Sequence, residues 1–406
     1  MRFIRGAPTT LIIGVVVLAS SVSAQYNPKI EVVRNGKYPL NVVDKLEESL
    51  MPKVETWLNK KIAAKTNNNC TIENAKVRRE WGDLTVSQRL DYVAAVKCLM
   101  KKPATANKTK YPGAISRFDD FVAFHVTHAG MLHNTNNLFT AHRYFLYVYE
   151  EALRNECGYK GYHPYMDYDR YTKNDPDDPM FNGNASSMGG NGAYDPNYKG
   201  VPQMGRTPSI IKSGGGGGCM TEGPFKDMVV SLGPVMSRNP SVPKNPRSDG
   251  LGSNPRCIRR DINRDAAMGA TAKHQYDLVT EKTVNGFYNR LLGQPAPKND
   301  PYPWGIHTAG HYIFPVDPGG DPSTSPGDPV FYFHHGMLDR LWWIWQMQDP
   351  ETRLSALPTV GHSHKQRRAD PMESMIDLEW LAPPIKLKEA MDQLGGNGGK
   401  FCYIYI

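Results

Sequence analysis

The sequence predicts a mainly α-helical fold with long irregular loops and a few short β-strands. Apolar residues recur at helical spacing in several stretches, residues 164–256 are rich in Gly, Pro, Asn and Asp, and the last six residues are apolar and β-prone. With 406 residues, 40% of them hydrophobic, the chain can bury a large core. The net charge of +8 contains no block of like charges, so nucleic-acid binding has little support.

The N-terminus resembles a secretory signal peptide over residues 1–24. Arg2 and Arg5 precede a short apolar run at 11–19, and small residues at 22–24 offer a cleavage site before Gln25. A membrane anchor is the less favoured alternative, because the run is shorter than the roughly 20 residues that span a bilayer. We therefore expect a secreted protein that does not bind a membrane after signal removal, with one domain over 25–406.

Six widely spaced cysteines are expected to form up to three disulfides in an oxidising compartment. The sequence alone does not choose among 15 pairings, although Cys219 and a partner such as Cys257 would tie down the long loop excursion at 164–256. No CxxC motif is present, which disfavours a thiolate zinc site. Glycosylation sequons begin at Asn69, Asn107 and Asn184.

Five stretches carry the helical pattern. They are residues 84–101, 116–129, 137–155, 272–293 and 328–348. In the last of these, Asp328 is predicted as the N-cap and Pro329 as a first-turn residue. The excursion at 164–256 is expected to contain hidden structure, because a loop of that length rarely stays structureless inside a domain.

One group of histidines lies in the C-terminal half of the chain. His307 and His311 are four residues apart, so on a helix both rings point to one side. His334 and His335 follow on the next predicted helix, where one of them can supply a third metal ligand. We favour His335, because Asp339 lies one turn beyond it and could accept its ring N–H, as metal-bound histidines usually require. His334 would then line the site.

A second group lies between residues 125 and 142. His125 and His142 lie on neighbouring predicted helices and His133 lies in the turn between them, so the three could form another all-imidazole site. His128, one turn from His125, is the ambiguous member. A single histidine on an apolar face is more often an ordinary core residue, but two such trios embedded in aromatic residues are hard to explain by packing.

The ligand chemistry narrows the choice of metal. Imidazole suits Zn, Cu, Fe or Ni, whereas Ca and Mg prefer oxygen ligands. The zinc-protease motif HExxH is absent, and neither trio has a bridging carboxylate. These features favour a redox copper pair, with a zinc-dependent hydrolase or a copper-free structural relic as the alternatives.

The two motifs that carry these histidines resemble those of the type 3 copper family of tyrosinases, catechol oxidases and haemocyanins. They read FVAFHVTHAGMLHNTNNLFTAHRYFLYVYEEALRNECGYKGYHPY and WGIHTAGHYIF…SPGDPVFYFHHGMLDRLWWIWQ, and they are most similar to those of short, secreted fungal enzymes. The resemblance extends from about Cys70 to the C-terminus. It implies a helical bundle that houses a dinuclear copper site with two copper ions. The implied ligands are His125, His133 and His142 for the first copper, and His307, His311 and His335 for the second.

The resemblance also implies a function. It implies a phenol oxidase that uses O2 to convert o-diphenols to o-quinones, with monophenols and o-aminophenols as further candidate substrates. Thr308, Phe331 and His334 are implied substrate-pocket residues. A reversible O2 carrier of the haemocyanin type is the alternative. The chain departs from the common family pattern at Met131, Ala141 and Met166.

Overall fold

The computed structural model describes residues 37–406 except 67–68, 134, 174, 176, 204–207, 238, 296–299 and 360–370. The predicted signal peptide therefore lies outside the described residues. Within the described part of the chain, no helix combines the length and the apolar composition that a membrane span requires.

The α-helices supply most of the regular structure. They are α1 (Val42–Ala63), α2 (Val86–Lys101), α3 (Arg117–Leu132), α4 (Leu138–Cys157), α5 (Arg264–Ala267), α6 (Ala272–Val279), α7 (Val284–Leu292), α8 (Ile306–Tyr312), α9 (Val330–Met347), α10 (Pro350–Arg353) and α11 (Leu387–Met391). At the centre, α4 packs against α2, α3 and α9, while α8 packs against α7 and α9. The mainly α-helical fold predicted from the sequence is confirmed.

The ends of these helices follow local capping chemistry. Helix α2 begins at Val86 because the side chain of Thr85 accepts a hydrogen bond from the backbone N–H of Gln88, whose own side chain bonds back to the N–H of Thr85. The helix predicted over 272–293 is two helices, because Thr283 caps the start of α7. Helix α9 has Pro329 rather than Asp328 in the N-cap position. The Asp328 carboxylate nevertheless accepts a hydrogen bond from the backbone N–H of Val330 at 2.9 Å, in addition to those from Arg260.

Helix α9 is the central element of the core. Each of its residues from Val330 to Met347 is buried, which explains why its sequence is apolar on all sides and rich in tryptophan. Its first half carries His334 and His335, so packing on every side determines where these two rings lie. The C-terminal strand is also buried, and it pairs in parallel with a strand at residues 76–78.

The strands are short and lie mainly in the loop regions. They are β1 (Lys76–Arg78), β2 (Gly192–Tyr194), β3 (Gly200–Pro202), β4 (Ile210–Lys212), β5 (Gly217–Met220), β6 (Val229–Val230), β7 (Arg256–Cys257), β8 (Arg259–Arg260), β9 (Val316–Asp317), β10 (Met375–Ile376), β11 (Ile385–Lys386) and β12 (Tyr403–Tyr405). Strands β2, β5, β8 and β9 form an antiparallel sheet in that order. The long excursion thus contains the structure that its length led us to expect.

Three disulfides join distant parts of the chain, as the even cysteine count predicted. The expected Cys219–Cys257 bridge forms within the excursion. The other two are Cys70–Cys402, which joins the N-terminal region to the C-terminal strand, and Cys98–Cys157, which joins α2 to α4.

Candidate dinuclear metal centre

The structure brings the first histidine trio together. His125 lies on α3, His133 is the C-cap of the same helix, and His142 lies on the first part of α4. Their ring centroids are 5.1 to 5.9 Å apart. One nitrogen from each ring lies within 4.8 Å of the others, which is a spacing that one metal ion can bridge.

Backbone carbonyl groups set the tautomer of these rings. Nδ1 of His125 lies 2.8 Å from the carbonyl oxygen of Ser323, and Nδ1 of His142 lies 2.7 Å from that of Leu138. His133 makes the same contact with Ala129 at 2.9 Å. Because a carbonyl oxygen only accepts, each Nδ1 carries the proton and each Nε2 keeps its lone pair.

The second group gathers four imidazoles rather than three. His307 and His311 lie on the single helix predicted from their spacing, α8, and they face His334 and His335 on α9. One nitrogen from each of the four rings lies within 4.8 Å of the others. His334 is as close to this group as His335 is, with its centroid 4.4 Å from that of His311. Both adjacent histidines are therefore within reach of one metal position.

The two groups form one centre. The rings of His142 and His335 stack with centroids 4.2 Å apart and planes 6° apart, and the centroids of His133 and His307 lie 5.8 Å apart. Phe331 lies beside both groups, 5.3 Å from His125 and 4.3 Å from His335 between ring centroids. The convergence that the copper hypothesis requires is present in the fold.

The chemistry of the donor atoms fits a metal pair. Within the described ranges of the chain, buried Nε2 atoms without a hydrogen-bond partner occur on five of these histidines: His125, His142, His307, His334 and His335. A buried nitrogen lone pair without a partner is costly unless something fills its place, and a cation does so. Imidazole nitrogens from two helix pairs, with no carboxylate in either group of described residues, suit copper or zinc better than calcium or magnesium.

Burial keeps the imidazoles neutral. Loss of solvent, followed by repulsion from neighbouring imidazoles, lowers the pKa of His142 to about 3. The same causes hold the pKa values of His307, His311 and His335 well below the ordinary value. Neutral rings are the form that coordinates a metal, so the centre is ready to bind one near neutral pH.

Fold and site together define a helical metalloprotein with a buried, all-imidazole dinuclear centre. The family described as the common central domain of tyrosinase matches residues 115–348, which include both histidine groups. The chain belongs to the tyrosinase family. It is a copper-dependent oxidoreductase, and its cofactor is a dinuclear copper centre.

Individual relatives agree with this assignment. The chain is 41% identical to a tyrosinase-like protein, orsC, of Emericella nidulans over 71% of this chain and 78% of the relative. It is 33% identical to tyrosinase P of Aspergillus terreus over 82% of this chain and 92% of the relative. A polyphenol oxidase structure from Thermothelomyces thermophila superposes with a TM-score of 0.79 at 35% identity, covering 90% and 97% of the two chains.

The role predicted for Asp339 is not what the structure shows. Among the described residues, no hydrogen bond joins Asp339 to His335. The carboxylate instead accepts from Arg143 at 2.7 Å and from the hydroxyls of Tyr403 and Tyr405, each at 2.7 Å. The buried guanidinium groups of Arg78 and Arg143 and two hydroxyls of β12 therefore surround this carboxylate. Sequence spacing along one helix cannot reveal partners from other elements.

The other predicted residues occupy distinct places. Phe331 is fully buried between the two groups, so it forms the wall of the centre rather than an exposed entrance. Thr308 follows His307 on α8 and is half-buried. His128, the ambiguous member, turns away from the centre: its Nδ1 contacts the carbonyl oxygen of Phe124 at 2.9 Å, and its Nε2 lies 3.2 Å from Glu379.

Two contacts of the centre were missed by the sequence reasoning. Tyr168 contacts Nδ1 of His334 through its hydroxyl, and it belongs to the segment GYHPYMDY that also holds the Met166 departure. Ser323 contributes only its backbone carbonyl, which no side-chain pattern could have indicated. Position 310 must also be glycine for His334 to keep its place, because a Cβ on residue 310 would lie 2.2 Å from Nδ1 of His334.

Proposed function

We propose that this protein is a phenol oxidase that converts o-diphenols to o-quinones with O2. In this proposal the first copper is held by His125, His133 and His142, and the second by His307, His311 and His335. The observation that carries the proposal is the set of buried, unpartnered Nε2 atoms that face one another across α3, α4, α8 and α9.

The chain's own part in the reaction is to hold neutral nitrogen donors and to exclude water. Carbonyl acceptors on Nδ1 keep each first-group ring from rotating, so its lone pair stays directed into the centre. Phe331 and the surrounding aromatic rings keep the site apolar. Bound copper supplies the electron exchange with O2; overall, two o-diphenols and one O2 yield two o-quinones and two waters.

In the part of the chain that the structure describes, the lack of a carboxylate in either histidine group favours diphenols over monophenols as substrates. Hydroxylation of a monophenol requires that the phenol lose its proton as it approaches the metal. Among the described residues, neither histidine group includes a carboxylate, and Asp339 is engaged by Arg143 and two tyrosines. Monophenols are a second candidate class of substrate, because a relative 34% identical over 83% of this chain bears the name N-acetyl-6-hydroxytryptophan oxidase, and that compound has a single phenolic hydroxyl. The o-aminophenols stay a prediction of the sequence alone.

Several features support secretion of a single domain over 25–406. Three disulfides are typical of an oxidising compartment. The sequon residues Asn107 and Asn184 are exposed, as a glycan requires. The hydrophobic core connects α1 to β12 through α4 and α9, so the described part of the chain supplies one main core.

Oxygen uptake with measured copper content tests the function. Copper-loaded protein should consume O2 with catechol and form the quinone absorbance, and it should act much more slowly on a matched monophenol. Two coppers per chain with reversible O2 binding but no quinone would instead support the carrier alternative. Faster turnover of the monophenol would contradict the assignment as a diphenol oxidase.

A further inference from the structure

His125 differs from the other members of its trio in what orients it. His133 and His142 each bond a carbonyl four residues earlier in the chain, so their own local backbone orients them. Nδ1 of His125 instead bonds the carbonyl oxygen of Ser323, which lies 198 residues further along the chain. The orientation of His125 therefore depends on the position of the loop that contains Ser323, residues 317–328, which we name the clamp loop.

Buried ion pairs fix both ends of the clamp loop. At its start, Arg256 donates two hydrogen bonds to the carboxylate of Asp317, at 2.6 and 2.8 Å. At its end, Arg260 donates two to the carboxylate of Asp328, at 2.7 and 2.6 Å. The side chains are at most 4% exposed, and a two-point contact between a guanidinium and a carboxylate restrains direction as well as distance.

A third carboxylate holds the middle of the clamp loop. Asp321 accepts hydrogen bonds from the backbone N–H groups of Val235 and Met236, at 2.7 and 2.6 Å, which belong to the long excursion. Asp321 also accepts from the backbone N–H of Ser323 at 2.9 Å. The residue whose carbonyl orients His125 is thus tied through its own N–H to the same network.

The two arginines lie on either side of a disulfide-bonded cysteine. Cys257 stands next to Arg256 and three residues before Arg260, and it is bonded to Cys219. In the four-stranded sheet Cys219 is paired with Arg259, and Arg259 in turn with Asp317. The disulfide therefore braces the strands that present both guanidinium groups to the clamp loop.

We propose that Arg256 and Arg260 are positioning residues for the first metal, acting through the clamp loop and the Ser323 carbonyl on His125, and that the Cys219–Cys257 disulfide supports them. This inference rests on the proposed assignment of His125 to the first metal. Loss of either guanidinium leaves a buried carboxylate without its cation, and the clamp loop must shift to reach water. His125 then loses the acceptor that orients its ring. Among the described residues, the rings of His307, His311 and His335 make no hydrogen bond to this network. The bond that links the network to the start of α9, from the N–H of Val330 to the Asp328 carboxylate, involves neither arginine.

Zinc binding in two single-site backgrounds tests the proposal without relying on turnover. In protein carrying both His307→Ala and His311→Ala, which leaves the second group only two imidazoles, we expect the first trio to bind Zn(II) alone, and in His142→Ala protein the second group. Arg260→Gln should raise the dissociation constant for Zn(II) in the first background about 10- to 100-fold, the range seen when the support of a metal ligand is lost. The dissociation constant in the second background should stay within about twofold.

The disulfides offer a matched comparison should Arg260→Gln fold poorly. We expect the Cys219→Ser, Cys257→Ser protein to weaken zinc binding selectively at the first trio. The Cys70→Ser, Cys402→Ser protein opens a bridge of much larger sequence separation, 332 against 38 residues, so its loss of global stability is expected to be at least as large. Selective weakening only in the former protein would therefore trace to the clamp loop and not to general destabilisation.

The outcomes separate this inference from the proposed function. If folded Arg260→Gln protein binds zinc at the first trio with unchanged affinity, or if both sites weaken equally, the positioning role is wrong. Equal weakening by the two disulfide variants would contradict the role of Cys219–Cys257. If the unmodified protein fails to bind two metals, the metal assignment itself is wrong, whatever the variants do.

Discussion

The hydroxyl of Tyr168 lies 2.7 Å from Nδ1 of His334 and 3.0 Å from the carbonyl oxygen of the same residue. One hydroxyl proton satisfies both contacts only if Tyr168 donates to the carbonyl and accepts the Nδ1 proton of His334. Nε2 of His334 then keeps a lone pair, and that atom is buried without a partner beside His311 and His335. Tyr168 therefore gives the second metal position a fourth nitrogen lone pair.

The first prediction is that Tyr168→Phe changes the tautomer of His334. Without the hydroxyl, Nδ1 loses its acceptor and the proton moves in part to Nε2, which nitrogen-15 NMR of the metal-free protein would detect. We expect a stability loss of about 1 kcal/mol, the usual net value of one hydrogen bond. Tyr171→Phe is the control, because it removes an equally buried hydroxyl that bonds Glu80 at 2.8 Å. An unchanged His334 tautomer in Tyr168→Phe protein would refute the argument.

The second prediction concerns the metal count. His142→Ala should reduce bound copper from two ions to one per chain, because it removes one of three nitrogens from the first position and the ring that stacks on His335. His128→Ala is the matched control. Its ring faces Glu379 rather than the centre, so that variant should keep two coppers. Metal analysis after dialysis decides, and two retained coppers in His142→Ala protein would remove this residue from the site.

Much of the site could be predicted from the sequence, because its metal-binding groups are histidine side chains spaced as residues on one face of a helix are. The interval between His307 and His311 predicted a shared helix face, and the structure places both on α8. The grouping of His125, His133 and His142 followed from two adjacent helices and the turn between them. The helix-bundle fold was predictable for the same reason, since apolar periodicity marks α2, α3, α4 and α9.

What could not be predicted depends on contacts between distant parts of the chain. The partners of Asp339 come from α4 and β12, and the acceptor for His125 is a backbone carbonyl in a loop. The short strands of the excursion have too few residues for periodicity to register, so only the Cys219–Cys257 pair indicated that it was held in place. In each case the contact is made by residues that are distant in sequence, so the local sequence pattern carries no information about the partner.

The third prediction is a pH dependence of stability that arises from His163, which lies outside both metal groups. Its Nε2 lies 2.8 Å from the carbonyl oxygen of Tyr332, and its buried Nδ1 has no hydrogen-bond partner among the residues that the structure describes. Burial, followed by repulsion from Arg78, lowers its pKa from 6.5 to about 4. The unfolded chain therefore binds a proton at this residue below pH 6.5 that the folded chain does not accept until about pH 4.

It follows that His163 costs stability as the pH falls from 6.5 toward 4, by a total of about 3 kcal/mol. Urea unfolding of the metal-free protein across this range measures the effect. His163→Gln keeps an N–H donor but cannot titrate, so its stability should fall less steeply with acid than that of the unmodified protein. Parallel curves for the two proteins would show that His163 does not contribute. Glu80 acts in the opposite direction, because burial raises its pKa to about 7, and it is present in both proteins.

The fourth prediction separates the two roles considered for Asp339. If Asp339 oriented His335, Asp339→Asn would weaken the second metal position; if it serves the arginine network, the variant should lose stability and keep both metals. The structure supports the network, because Arg143 and Arg78 are both fully buried and both contact this carboxylate. Removal of one member of a buried ion pair typically costs about 3–5 kcal/mol.

We therefore expect Asp339→Asn to lower the free energy of unfolding by about that amount while the folded fraction retains two zinc ions per chain. Tyr405→Phe is a graded companion, since it removes one hydroxyl donor to the same carboxylate and leaves its charge in place. It should cost about 1 kcal/mol. Urea unfolding and zinc analysis on the same samples test both effects. Loss of the zinc at the second position from well-folded Asp339→Asn protein would restore the role that sequence spacing predicted. Loss at the first position would instead point to Arg143, which bonds Asp339 and directly follows His142.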